Sequence, residues 1–79
     1  MNNCIAAIPS INICIKGQKA LAENGIFSNI VGLEPSVTKR GCAYGIEFPC
    51  SEKSRVRSIL QKVGIKPSQY IMGNGGALI

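Results

Sequence analysis

The chain has 79 residues and a formal charge of +5, from nine Lys or Arg against four acidic residues. This length predicts a single domain, and a hydrophobic content of 46% is too high for a disordered tail. The absence of His removes the commonest general base and metal ligand, so cysteine chemistry and surface binding are the functions that this composition supplies best.

The first half of the chain predicts a strand, a helix and a second strand. Residues 4–8 are a short apolar run, typical of a buried strand. Ser10 is placed to cap a helix that runs to about Asn24, where Gly25 ends it. The spacing of three and four residues predicts an inward face made of Ile13, Cys14, Gly17, Ala20 and Leu21. A second strand is expected at about residues 29–33.

The second half repeats this order after a loop. Residues 35–41 are polar and contain Pro and Gly, which predicts a loop, and residues 42–48 predict a third strand. Ser51 is expected to cap a second helix that ends at Gly64. Its apolar positions recur at helical spacing: Val56, Ile59, Leu60 and Val63. Residues 68–72 predict the last strand.

Two strand-helix-strand units in one short chain predict the α+β class and the order βαββαβ. This is the ferredoxin-like sandwich, a four-stranded antiparallel sheet with two helices on one face and strands one and three in its centre. The domain is expected to span residues 1–72, with residues 73–79 as a flexible tail. This topology places Cys42 near the start of the first helix, and Cys4 and Cys50 at the opposite end of the sheet.

The four cysteines differ in what the sequence predicts for them. The first residues, Met-Asn-Asn-Cys, lack the basic and apolar regions of an export signal, and no apolar run approaches the roughly 20 residues that span a membrane. We therefore expect a cytoplasmic location with reduced thiols. No Cys-x-x-Cys spacing is present, and no metal site is predicted. Cys14 is assigned to the core. For Cys50 an incidental thiol at a helix entry is favoured, and a redox pair with Cys4 stays open.

Cys42 is the best candidate for chemistry. The thiolate is the reactive form of cysteine, and the positive charges of Lys39 and Arg40 favour it. Gly41 leaves the backbone open to an approaching electrophile, and the dipole of the helix that begins at Ser10 adds partial positive charge. The alternative interpretation is that Cys42 is a small apolar residue at the start of a central strand.

The segment Lys-Arg-Gly-Cys-Ala-Tyr-Gly-Ile, together with the strand-Pro-Ser entry into the first helix, resembles a known family. It is similar to the selenium/sulfur carrier-like family of small bacterial proteins, over about residues 4–72. The resemblance implies a carrier rather than a stand-alone enzyme, with no cofactor. Cys42 would take a persulfide or selenopersulfide from a cysteine desulfurase and pass it to an acceptor protein.

A regulatory or protein-interaction module of the same fold is the alternative function. A small core favours dimerisation, and the basic loop would then bind an anionic partner. Lys53, Arg55 and Arg57 are interpreted as a solvated helix face. Nucleic-acid binding is the least favoured, because the chain has few aromatic side chains that could stack on bases.

Overall fold

The computed structural model describes residues 3–33 and 44–72. The elements are β1 (Asn3–Ile8), α1 (Ile11–Glu23), β2 (Asn29–Gly32), β3 (Tyr44–Pro49), a 3-10 turn (Cys50–Glu52), α2 (Lys53–Lys62) and β4 (Gln69–Met72). The predicted βαββαβ order is confirmed. The expected tail at residues 73–79 lies outside the described residues.

The sheet has the strand order β2-β3-β1-β4, and each neighbouring pair is antiparallel. The prediction that strands one and three form the centre is therefore confirmed. Tyr44, the first residue of β3, pairs with Ile8 of β1 on one side and with Gly32 of β2 on the other. This register fixes which chain segments lie at each end of the sheet.

Both helices end at the predicted glycines. Gly25 and Gly64 adopt φ values of 79° and 78°, the left-handed region that residues with a side chain rarely enter. The next residue folds back each time, since the Ile26 amide donates to the Leu21 carbonyl at 2.9 Å and the Ile65 amide donates to the Leu60 carbonyl at 2.8 Å. These bonds satisfy carbonyls that would otherwise lack a partner at the helix end.

The main core lies between the helices and one face of the sheet. Its fully buried members include Ala6, Ile8, Ile46, Phe48, Leu21, Val56 and Leu60. Gly17 allows α1 to approach closely, because a Cβ atom there would lie 2.7 Å from Cδ1 of Ile46. The other face of β1 is buried as well, through Ile5 and Ala7, which accounts for the continuous apolar run of this strand.

Two local predictions are wrong. Ile13 is predicted on the inward face of α1 but is 40% exposed. The face of α1 that packs on the sheet is narrow and is formed by the other predicted residues, Cys14 and Gly17 among them. Ser51 does not cap α2, because a 3-10 turn follows Pro49 and the N-cap position of α2 falls on Glu52.

Among the described residues, none of the helices is long and apolar enough to cross a membrane.

Candidate functional site

The structure describes the residues on either side of the predicted Cys42 site, up to residue 33 and from residue 44. Cys42, Lys39, Arg40 and Gly41 lie outside the described residues. The described chain leaves the sheet after β2 and returns at Tyr44, which pairs with Ile8. This is the end of the sheet at which α1 begins.

Ser10 is the one predicted site residue that the structure describes. It occupies the N-cap position of α1 in an extended conformation, and its carbonyl accepts a 3.0 Å hydrogen bond from the Cys14 amide. Its side chain makes no capping hydrogen bond. The first amides of an α-helix have no partner within the helix, and the start of an α-helix attracts negative charge.

The opposite end of the sheet contains a disulfide between Cys4 and Cys50. The expectation of reduced thiols is therefore wrong for these two residues. Cys4 pairs with Phe48 in the sheet, and the chain turns after Pro49, which leaves the two Cα atoms 5.0 Å apart. This separation lies within the usual range for a disulfide.

Cys4 and Cys50 differ in their exposure to solvent. Cys4 is 1% exposed and belongs to the core, whereas Cys50 is partly exposed and packs on the core from outside. The Arg55 guanidinium binds the Glu52 carboxylate at 2.6 Å and the Asn24 carbonyl at 2.9 Å. It thereby joins the end of α1 to the start of α2 beside the disulfide.

Cys14 is fully buried within α1, as predicted for a core residue.

Arg55 and Arg57 on α2 are exposed, as predicted for a solvated helix face. The guanidinium of Arg57 lies 5.5 Å from the centre of the Tyr70 ring. Burial raises the pKa of Tyr70 above its ordinary value, and the charge of Arg57 opposes that increase.

The side chain of Phe27 is 93% exposed, which the sequence does not predict. It stands between two grooves. One lies along α1 and includes Ile15, Lys19 and Ala22. The other is lined by Asn3, Phe27, Asn29, Glu47, Phe48 and Pro49. The position of Phe27 two residues after Gly25 does not predict this exposure, because the neighbouring Ile26 is buried.

Comparison of the chain with curated proteins and with solved structures found no match. Within the residues that the structure describes, no group of three or more Cys, Asp or Glu side chains is arranged to hold a metal ion. One family model, described as "Putative Se/S carrier protein-like", matches residues 3–71. That match spans most of the chain and runs through every element of the sandwich, so the chain belongs to the Se/S carrier protein-like family.

Proposed function

We propose that this protein carries sulfur or selenium as a persulfide or selenopersulfide on Cys42. The observation that carries the proposal is the family match, which spans the Cys42 segment. Lys39, Arg40 and Gly41 are its proposed binding partners, because cations and open amides favour an anionic sulfur.

The borders of the described chain support this placement. Cys42 is two residues before Tyr44 in the sequence. Tyr44 pairs with Ile8, two residues before Ser10. The start of α1, where the Ser10 side chain makes no capping hydrogen bond, therefore lies at the end of the sheet where Cys42 is proposed to hold its anionic cargo.

The transfer needs no external oxidant. The Cys42 thiolate attacks the outer sulfur of a persulfide on the donor, a cysteine desulfurase. The donor's S–S bond breaks, its cysteine leaves as a thiolate, and Cys42 now bears the outer sulfur. A nucleophile on the acceptor then attacks that sulfur, and the Cys42 thiolate leaves. Selenium follows the same steps with selenium as the transferred atom.

Loading by a desulfurase tests the proposal. The protein is mixed with a cysteine desulfurase and free cysteine, and mass spectrometry measures the gain of one sulfur atom on each cysteine peptide. We expect the gain on Cys42 and its loss in Cys42→Ser, while Cys14→Ala still loads because Cys14 is a core residue. Normal loading of a folded Cys42→Ser protein would refute the proposal.

The charge of the binding segment has its own test. Lys39→Gln removes a cation next to the proposed thiolate, so the apparent pKa of Cys42 should rise and loading should slow. Lys53→Gln removes the same charge at the start of α2, at the opposite end of the sheet, and serves as the matched control. Equal effects of the two substitutions would exclude a local role of Lys39.

A regulatory or interaction module is the second candidate, and the exposed apolar surface around Phe27 favours it. Ile15 on α1 is 52% exposed and lines the groove beside Phe27. Such a surface suits a second copy of this chain. Sedimentation should then show a dimer that Phe27→Ser converts to a monomer, and a monomeric parent protein would exclude self-association at this surface.

A further inference from the structure

We propose that the Cys4–Cys50 disulfide is a second reactive site, one that undergoes thiol–disulfide exchange with a dithiol protein. This site lies at the end of the sheet opposite to the start of α1, and the proposal does not depend on Cys42.

The difference in exposure between the two cysteines selects the sulfur that is attacked. Cys4 is 1% exposed, which closes it to an external thiolate. Cys50 is partly exposed, in the turn between β3 and α2. An incoming thiolate therefore attacks Cys50, and the buried Cys4 is the leaving group. Exchange depends strongly on which sulfur is accessible.

The fold does not need to open for this reaction. β1 pairs with β3 from Asn3 to Ile8 and with β4 from Cys4 to Ala7. Cys4 is thus held in the sheet by backbone pairing on both sides, whether or not its sulfur is bonded to Cys50. The disulfide can be reduced while the sheet stays formed.

The surface beside the disulfide provides a docking point for a protein reductant. Asn3 and Pro49 line the groove on which Phe27 stands, and they directly precede Cys4 and Cys50 in the chain. Phe27 is 93% exposed next to this groove, and aromatic side chains, Phe among them, are enriched at protein interfaces. The partner that fits is a dithiol protein with an apolar surface around its reactive thiol.

The dithiol partner donates the two electrons that reduce the Cys4–Cys50 disulfide. Its first thiolate attacks the Cys50 sulfur and forms a mixed disulfide, and Cys4 leaves as a thiolate that takes up a proton. The partner's second thiolate attacks its own first sulfur and releases Cys50, which also takes up a proton. The chain ends with two thiols, and the partner ends with one disulfide.

The order of the reduction reaction tests the site. The oxidised protein is treated without denaturant with dithiothreitol or with reduced thioredoxin as the probe. We expect initial rates that rise in proportion to the concentration of either reductant. A rate that is independent of reductant concentration and equal to the rate of global unfolding would overturn the proposal, because the bond would then be a purely structural one.

Two further measurements locate the attack and the docking surface. A thioredoxin that lacks its second cysteine should be trapped on Cys50, and trapping on Cys4 would contradict the mechanism. Phe27→Ser should slow reduction by thioredoxin about tenfold and leave reduction by dithiothreitol unchanged. The control Ile13→Ser removes a 40% exposed apolar side chain near the start of α1. Equal slowing by both variants would exclude docking at Phe27.

Discussion

Reduction of the Cys4–Cys50 disulfide should lower the free energy of unfolding by about 4 kcal/mol. The bond joins residues separated by 46 positions, and closing a loop of that length removes conformational entropy from the unfolded chain. The loop-entropy relation gives about 4 kcal/mol for this separation at room temperature. For a domain of this size such a loss is a large part of the total stability.

Urea denaturation of the same sequence in its oxidised and reduced forms measures this difference. A phosphine reductant keeps the second sample reduced, and no side chain is changed, so no cavity is created. The slope m should increase on reduction, because the unfolded chain without the bond exposes more surface. With an m value of roughly 1–2 kcal/mol/M, the urea midpoint should fall by about 2–4 M.

A difference below about 1 kcal/mol with an unchanged slope would refute this reasoning. It would mean that the unfolded chain gains little freedom when the bond is broken, contrary to the entropy model.

Three further predictions follow from the packing. Gly17→Ala should destabilise the protein by about 1–2 kcal/mol, because the new Cβ atom would lie 2.7 Å from Cδ1 of Ile46 and 3.2 Å from Cδ2 of Leu60. The higher helix propensity of Ala offsets only part of that cost. Gly32→Ala, whose Cβ would meet nothing within 4 Å, is the control, and equal losses in urea denaturation would refute the packing argument. The pKa of Tyr70 should lie above its ordinary value of 10.0, as measured by the difference between the absorbance titrations of the wild type and of Tyr70→Phe. Arg57→Gln should raise the pKa of Tyr70 further, and a lower pKa in this variant would refute the electrostatic role of Arg57. Because unfolded Tyr70 ionises at a lower pH than folded Tyr70, its contribution to stability should be complete below about pH 10 and decline at higher pH; denaturation midpoints of wild type and Tyr70→Phe that decline in parallel would contradict this.

The elements and their order were predictable because local signals agreed with the tertiary structure. Gly25 and Gly64 end their helices in the conformation that only glycine adopts readily. The apolar spacing of α2 placed Val56 and Leu60 in the core. A short chain with two such units has few ways to bury both helices, and the ferredoxin-like sheet is one of them.

The wrong predictions concern positions that the fold decides. Ile13 is apolar yet exposed, since the width of the inward stripe depends on how closely α1 packs on the sheet. The expected redox environment disfavours a disulfide, whereas strand pairing and the turn at Pro49 place Cys4 and Cys50 together. The exposure of Phe27 depends on where the loop after α1 leaves the core, which no local pattern encodes.

In the proposed function, Cys42 receives a sulfur atom and gives it up again. The most direct test is a single-turnover experiment with a desulfurase that bears a labelled persulfide, followed by addition of an acceptor thiol. We expect the label to appear on Cys42 and on no other cysteine of the chain, and to leave when the acceptor is added. Label that stays on the desulfurase, or that accumulates on Cys50, would contradict the proposed function.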